Sequence, residues 1–189
     1  MDKNGIIEKL SKILKTIDYR DANAAVLVLL RVVDQELQVL LVKRAEKPTD
    51  PWSGQIAFPG GKRDPEDKDL KETVVRETLE ETGINIFVRC RLLGAMESMR
   101  STQRPEMKIL PFVVLQEKEQ EIKLNEELTE YFWTPLKEMD LNKGCIKYRC
   151  EDFPAFIIRG DVIWGLTYRI LYNLLALLSS FEKETQRKA

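Results

Sequence analysis

The chain has no histidine among its 189 residues. Histidine is the side chain that most often serves as a general base, and it is also the commonest metal ligand. Its absence excludes Ser-His and Cys-His hydrolases. The base of any hydrolytic reaction must therefore be a carboxylate, a lysine or a water molecule activated by a metal ion.

Cysteine is scarce, with three residues in the whole chain. Cys90, Cys145 and Cys150 do not have the paired spacing of a zinc site, and no histidine is present to complete one. We expect free thiols in a reducing compartment, and a Cys145–Cys150 disulfide is the less favoured alternative.

The chain also lacks an excess of charge of one sign and a long apolar run. Its 30 basic and 31 acidic residues leave a formal net charge of −1, so there is no basic field to attract nucleic acid. The apolar run 170–181 is too short to cross a bilayer. The amphipathic N-terminus does not resemble a signal peptide. We therefore expect a cytoplasmic protein with no nucleic-acid or membrane partner.

The length and patterning fit a single domain over residues 1–189. Apolar spacing predicts an N-terminal helix over about 3–17 and a C-terminal helix over about 161–182. Two β-rich runs, 24–33 and 37–42, predict a hairpin. Shorter strands are expected near 84–93, 109–116, 131–133 and 156–159.

The most informative segment contains three glutamates at one-face helical spacing. Glu77, Glu80 and Glu81 stand at i, i+3 and i+4 and adjoin an apolar half-face that includes Leu79. Like charges so close repel, and partial burial adds to the cost. One interpretation is an acidic helix face that is simply exposed to solvent. The sharper interpretation is a cation site, and hard oxygen ligands favour Mg²⁺ or Mn²⁺.

The residues around this helix favour the second interpretation. Gly60 and Gly61 permit close approach of the backbone to another group. Asp67 or Asp69 supplies the N-cap, and Gly83 ends the helix. Together they predict a glycine loop followed by a helix of about thirteen residues that serves as a metal platform.

This loop and helix resemble the Nudix box, whose pattern is Gly, five residues, Glu, seven residues, then Arg-Glu-apolar-x-Glu-Glu-x-Gly-apolar. The second half matches at Arg76, Glu77, Glu80, Glu81, Gly83 and Ile84. The first half is one residue longer, so either Glu66 or Asp67 fills the early acidic position. The resemblance implies an α/β/α sandwich around a mixed β-sheet.

The longer spacing is similar to that of the coenzyme A diphosphatase branch of the family, as are segments 40–44, 54–64 and 163–171. The branch implies hydrolysis of coenzyme A to 3′,5′-ADP and 4′-phosphopantetheine. Asp50, however, stands where the branch carries an arginine. An unpaired carboxylate there would repel the 3′-phosphate, and Arg44, Arg63 or Arg104 would have to compensate, so we expect weak discrimination for this phosphate. The alternatives are a diphosphatase for ADP-ribose, dinucleoside polyphosphates or nucleoside triphosphates, and a Nudix module that binds a nucleotide without cleaving it.

The resemblance also implies roles for single residues. Glu77 and Glu81 are expected to ligate the metal, Glu80 to ligate it directly or through water, and the Gly60 carbonyl to be a further ligand. Arg76 is expected to hold a box glutamate. A glutamate before a late strand, Glu127 with Glu126 as the alternative, is the expected extra ligand or base.

Five cations lie on segments that can reach such a cleft: Arg44, Arg63, Arg100, Arg104 and Lys108. Arg44, Arg63 and Arg104 are the substrate-binding candidates. Trp52 either stacks on a base or plugs its own loop. The expected partner is a small nucleotide diphosphate, and a homodimer is among the expectations because Nudix enzymes are often dimers.

Overall fold

The computed structural model of the protein describes residues 3–14 and 21–186. Its helices are α1 (Lys3–Leu14), α2 (Leu70–Thr82), α3 (Leu136–Leu141) and α4 (Gly165–Gln186). Its strands are β1 (Ala24–Val33), β2 (Glu36–Arg44), β3 (Ile56–Ala57), β4 (Gly60–Lys62), β5 (Cys90–Ala95), β6 (Met99–Arg100), β7 (Lys108–Gln116), β8 (Leu128–Pro135), β9 (Lys143–Tyr148), β10 (Glu151–Ile158) and β11 (Asp161–Trp164). The predicted β1–β2 hairpin is present.

The main sheet is mixed. Its strand order is β3-β2-β1-β7-β5, and β4, β6 and β8 pair with β1, β7 and β2, respectively. β1 and β7 run parallel, with Leu27 opposite Phe112. β1 and β2 run antiparallel. A smaller antiparallel sheet has the order β11-β10-β9.

Both faces of the main sheet are covered by helices, which is why β1 is a nearly continuous apolar run. Ala25, Leu27 and Leu29 belong to the cluster that packs against α2. Val28 and Leu30 point the other way, into the larger cluster with α1, α3 and α4. The expected α/β/α sandwich is confirmed.

Helix α2 begins and ends where the sequence predicts. The Asp69 carboxylate accepts two backbone N–H groups of the first turn, and Gly83 adopts the left-handed conformation with φ 71°. The prediction that Leu79 lies on the buried half-face is wrong, because it is 47% exposed. The helix instead turns Thr78 and Glu81 towards the sheet, and Glu81 is only 5% exposed.

The C-terminal helix begins later than predicted. Residues from Asp161 to Trp164 form β11, which pairs with β10, and the helix starts at Gly165. Gly165 has φ 63°, the left-handed conformation that glycine adopts readily. The predicted strand near 84–93 begins only at Cys90. Residues 15–17 of the predicted N-terminal helix lie outside the described residues.

Two further expectations concern the cysteines and the membrane. Cys145 lies on β9 and Cys150 in the turn after it, and both thiols are free and exposed. In this hairpin Cys145 is opposite Pro154, whereas Cys150 lies in the turn beyond the Tyr148–Glu151 pair. The intervening strand separates the two cysteines by about 10 Å, beyond the reach of a disulfide, so that alternative is wrong. Within 3–14 and 21–186, no helix is both long and apolar enough to cross a membrane.

Candidate active site

A cavity of about 400 Å³ opens beside the glycine loop of β4. Its walls come from helix α2, β1, the end of β2, the segment 52–62, the loop between β6 and β7 with the start of β7, the loop that carries Glu127, and the junction of β11 with α4. Carboxylates line one part of it and aromatic, cationic and apolar groups line the rest. The main lining side chains are Glu77, Glu81, Glu127, Arg44, Trp52, Arg104 and Trp164.

The two glycines of the loop are required by close contacts. Gly60 has φ 140°, and a Cβ atom there would lie 2.3 Å from the Ala25 carbonyl oxygen. A Cβ atom on Gly61 would lie 2.5 Å from the carboxyl carbon of Glu77. The backbone N–H of Gly60 donates to the Glu81 carboxylate at 2.8 Å. Gly61 therefore leaves space for the Glu77 carboxylate, and Gly60 binds the Glu81 carboxylate.

Burial sets the electrostatics of these two carboxylates. Loss of solvation raises the pKa of Glu81 to about 7, although the Gly60 hydrogen bond acts in the opposite direction. Burial likewise raises the pKa of Glu77, despite its bond to Arg76. The nearby charge of Glu127 raises both pKa values further. The site thus concentrates negative charge that the protein itself compensates only in part.

Arg76 links three acidic side chains of the loop and helix α2. Its guanidinium donates to the Asp67 carboxylate from Nε at 3.1 Å and from Nη2 at 2.9 Å. Its Nη1 donates to Glu77 at 3.0 Å and to Glu80 at 3.4 Å. The Arg76 bond holds the pKa of Asp67 well below its usual range. Arg76 therefore orients Glu77 by charge-assisted hydrogen bonds.

The acids near Arg76 differ in whether they contact its guanidinium. Asp67, buried with 7% exposure, is the acid that contacts Arg76, whereas Glu66 is exposed. Glu72, which has the same i, i+4 spacing from Arg76 as Glu80, pairs with Lys68 at 3.3 Å instead. The loop before α2 is one residue longer than the usual Nudix spacing. Asp67 nevertheless contacts Arg76.

The structure also distinguishes the two late glutamates. Both residues are exposed, but Glu127 lines the cavity and Glu126 does not. The Glu127 carbonyl accepts the Ala45 N–H at 2.8 Å, and the Glu127 N–H donates to Asn125 Oδ1 at 2.9 Å. These bonds fix the loop against the end of β2. Glu127 is the better candidate for the extra acid.

The five cations separate into two groups. Arg44 and Arg104 line the cavity. Arg63 does not, because its guanidinium donates to the backbone carbonyls of Asp67 and Lys68 at 2.6–3.1 Å. The prediction that Arg63 binds substrate is therefore not supported by its position. Its observed contact stabilises the loop that carries Asp67.

Arg100 and Lys108 are likewise engaged elsewhere. Arg100 donates to the Pro105 carbonyl at 3.2 Å, and Lys108 pairs with Asp21. Lys62, which the sequence did not single out, lines the cavity beside Gly61.

Asp50 differs from the expectation of an unpaired carboxylate. It accepts from Arg44 Nε at 2.9 Å and Nη2 at 2.7 Å, and from the backbone N–H of Trp52 at 3.0 Å. These bonds outweigh its burial and lower its pKa. Asp50 is therefore paired with Arg44, and the premise of an unpaired carboxylate at this position is wrong.

Comparison with known proteins identifies the family. Residues 21–149, more than half of the chain, match the model of the NUDIX domain. The chain belongs to the Nudix family.

Relatives agree with this assignment. The human mitochondrial coenzyme A diphosphatase NUDT8 is 31% identical over 169 residues, covering 85% of this chain and 71% of the relative. The uncharacterized Nudix hydrolase NudL of Yersinia enterocolitica is 29% identical over 162 residues, covering 78% and 77%, respectively. The resemblance to the coenzyme A diphosphatase-like branch is thereby confirmed, and the protein is a Nudix hydrolase.

A solved structure supports the fold. The MutT/nudix family protein from Enterococcus faecalis superposes with a TM-score of 0.53 at 20% identity, covering 86% of this chain and 64% of that one. At this identity the likeness concerns the Nudix fold alone.

Nudix hydrolases generally use divalent metal ions, and the donor chemistry here fits one. The buried Glu81 carboxylate has a raised pKa and a neutral N–H as its recorded hydrogen-bond donor. A divalent cation would supply the missing charge. As the described residues stand, however, no three acidic, cysteine or histidine side chains are grouped closely enough to hold a metal. Glu80, 57% exposed, turns towards Arg76.

Part of this Nudix cavity was not predicted as a site. Trp164, Leu166 and Ile170 line it from the β11–α4 junction. Thr167 Oγ1 donates to the Ile56 carbonyl at 3.0 Å and ties the first turn of α4 to β3. The similarity of segment 163–171 to the coenzyme A branch was the sequence signal for this wall, although it carried no assignment of role.

Proposed function

We propose that this Nudix hydrolase catalyses divalent-metal-dependent hydrolysis of a phosphoanhydride bond, with coenzyme A or a derivative as substrate. The products would be 3′,5′-ADP and 4′-phosphopantetheine. The observation that carries the proposal is the convergence of Glu77, Glu81 and Glu127 on one cavity that also contains cationic and apolar walls.

The carboxylates have distinct parts in this proposal. Glu77 and Glu81 would hold Mg²⁺ or Mn²⁺, with the Gly60 carbonyl and Glu80 as further ligands. When bound, the metal would neutralise the charge of the diphosphate and lower the barrier to attack by water. Arg76 keeps Glu77 oriented through the anchored Asp67 pair. Glu127 faces the same space and is the candidate to accept a proton.

The rest of the cavity supports a substrate with more than a nucleotide. Arg44 lines the same cavity as the carboxylates, and its positive charge lowers the pKa of Glu81, so it suits an anionic diphosphate. Ile56, Ile109 and Leu166 provide an apolar wall, which suits an uncharged arm. The human relative is described as a coenzyme A diphosphatase, which supports the same substrate class.

A substrate panel tests the proposal. Coenzyme A, ADP-ribose, a dinucleoside polyphosphate and a nucleoside triphosphate are incubated with the enzyme and Mg²⁺ or Mn²⁺, and the products are identified by mass spectrometry. We expect the highest kcat/KM for coenzyme A, with the two products named above. A higher kcat/KM for any other panel member would assign the substrate class to that member instead.

Two further parts of the proposal rest on the sequence and the family resemblance alone: a cytoplasmic location and a homodimer. Fractionation of the source cells tests the first. Light scattering of the purified protein tests the second, and a monomeric mass at micromolar concentration would contradict it.

A further inference from the structure

The cavity has a cationic end, and one of its two arginines, Arg104, has no part in the proposed reaction at the carboxylates. This end is formed by Arg44, Asp50, Trp52 and Arg104, and we name these four residues the cationic end. All except Asp50 line the cavity, and Asp50 is bonded to Arg44. The formal charge of the four is +1, since Asp50 offsets one of two guanidinium groups. It stands in the same cavity as three glutamates, so the cavity is polarised.

Arg44 connects the two ends. It lies at the end of β2, where the backbone carbonyl of Glu127 accepts from the neighbouring Ala45. Its side chain extends towards Asp50, which receives two of its N–H groups. Arg44 is thus held beside the carboxylates in a fixed orientation, and Asp50 acts as its positioning residue.

Arg104 is held in a different way. Its Cζ atom lies 4.9 Å from the centre of the Trp52 ring, a cation–π contact. Among residues 3–14 and 21–186, no acceptor is recorded for a hydrogen bond from its guanidinium. A guanidinium over an aromatic face keeps its N–H donors in its own plane, so they remain open to a ligand. Arg63, Arg100 and Arg44, by contrast, each donate to protein oxygens.

The loop that carries Arg104 is pre-organised. The Arg104 N–H donates to Ser101 Oγ at 3.2 Å, and the Met107 N–H donates to the Arg104 carbonyl at 2.8 Å. The Ser101 N–H in turn donates to the Met107 carbonyl at 3.0 Å. Ser101 is itself buried. A loop closed by three bonds loses little further entropy when a ligand binds.

We propose that Arg104, supported by Trp52, forms a subsite for a second phosphate group of the substrate, a phosphate monoester carried on the ribose away from the diphosphate. The position of this subsite relative to the diphosphate rests on the proposed function. Arg44 serves the diphosphate next to the carboxylates, and Arg104 serves the monoester. Residue 104 supplies this cation from the loop between β6 and β7, distant in sequence from Arg44.

The proposal revises the expectation of weak phosphate discrimination. That expectation assumed an unpaired Asp50, whereas Asp50 is neutralised by Arg44. A charge-assisted bond from Arg104 to a phosphate is expected to favour the phosphorylated ligand by about tenfold to a hundredfold. The enzyme should therefore prefer coenzyme A over dephospho-coenzyme A by at least that lower factor.

A binding experiment tests the subsite without relying on catalysis. Adenosine 3′,5′-bisphosphate and adenosine 5′-monophosphate are titrated by calorimetry into the protein in EDTA. We expect the bisphosphate to bind at least about tenfold more tightly, and the difference to disappear in Arg104→Met, which keeps an apolar stem over Trp52. Equal affinities for the two ligands in the wild-type protein, or an unchanged ratio in Arg104→Met, would overturn the subsite.

Arg149→Met is the matched control. Arg149 also makes a cation–π contact, 5.2 Å from the Tyr148 ring, but neither residue lines the cavity. This variant should keep the wild-type ratio. If it lowers the ratio as much as Arg104→Met does, the effect is one of net charge and the subsite is wrong.

Kinetics then separate this proposal from the proposed function. With Mg²⁺, Arg104→Met should raise KM for coenzyme A by about tenfold or more while leaving dephospho-coenzyme A within about threefold. An equal loss on both substrates would show that Arg104 serves the diphosphate or the fold, against the subsite. If the wild type cleaves neither substrate but still binds the bisphosphate more tightly through Arg104, the proposed function fails and the subsite stands.

Discussion

The carboxylate end and the cationic end of the cavity are built in opposite ways. The carboxylate end comes mainly from one continuous stretch, Gly60 to Gly83, in which a loop and a helix place every acid except Glu127. The cationic end joins residues 44 to 52, from the end of β2 and the loop after it, with residue 104 from the loop between β6 and β7. A local pattern can encode the first arrangement, whereas the second exists only when the chain is folded.

The two ends also differ in how charge is treated. At the carboxylate end, burial raises the pKa values of Glu77 and Glu81, so the negative charge is costly in the metal-free protein. At the cationic end, Asp50 and Arg44 compensate each other directly. The unfavourable electrostatic energy of the metal-free protein is therefore concentrated at Glu77 and Glu81, where catalysis is proposed, and such energy is common in active sites.

The largest effect is expected from removing a carboxylate charge. Glu77→Gln and Glu81→Gln should each lower kcat by more than about a hundredfold at saturating Mg²⁺. The reason is that losing a direct metal ligand should lower kcat more than losing a residue that only hydrogen-bonds to a ligand. Steady-state kinetics measure the change, and circular dichroism checks that the fold is retained. Near wild-type kcat in both variants would show that these residues do not hold the metal.

The same Glu81→Gln change should stabilise the protein when metal is removed. The folded-state pKa of about 7 lies above the ordinary value of 4.5, so the folded protein binds the extra proton between these pH values. The free energy of unfolding therefore falls as pH rises through this window. Above pH 7 the protein bears the whole free-energy cost of the buried Glu81 charge. The variant should gain up to about 3 kcal/mol in free energy of unfolding at pH 8 and little at pH 4.5.

Urea unfolding in EDTA at both pH values measures this gain. Glu80→Gln is the control, since Glu80 belongs to the same helix but is exposed. A gain of equal size in the control, or no gain in Glu81→Gln at pH 8, would contradict a costly buried charge at Glu81.

The Asp67–Arg76 pair should respond in the opposite sense. The folded-state pKa of Asp67 is lowered, so its contribution is present above the unfolded pKa of about 4 and is lost as pH falls below it. Asp67→Asn should cost about 2 kcal/mol at pH 7, with a smaller difference at pH 3. It should also lower kcat by about tenfold to a hundredfold, since Arg76 loses its anchor.

Glu66→Gln is the matched control for this experiment because Glu66 is adjacent but exposed. Unfolding and kinetics of the two variants are compared at the two pH values. Equal changes in free energy of unfolding and in kcat for Asp67→Asn and Glu66→Gln would show that Asp67 does not anchor Arg76.

The smallest effect is expected at Asp50. If Asp50 repelled the substrate, Asp50→Asn would lower KM. If it positions Arg44, the lost charge-assisted bonds should dominate over a screened repulsion, and KM for coenzyme A should rise by about threefold to tenfold with kcat nearly unchanged. A lower KM in this variant would restore the repulsion hypothesis.

Local sequence signals account for much of what was predicted correctly. Asp69 and Gly83 bound helix α2 through a cap and a left-handed turn, both of which act within a few residues. Two β-rich apolar runs separated by a short polar segment set the β1–β2 hairpin. The spacing of Glu77, Glu80 and Glu81 brings three acids to one side of that helix, whatever lies beyond it.

Tertiary structure decided the rest. The burial of Glu81 and the exposure of Leu79 depend on how α2 rotates against the sheet, which helical spacing leaves open. Asp161 to Trp164 form a strand because β10 offers them a partner. Asp50 is neutralised and Arg104 meets Trp52 only because folding brings distant segments together. Sequence periodicity thus determined the helix and its acids, whereas long-range packing decided which charges are buried, paired or open to a ligand.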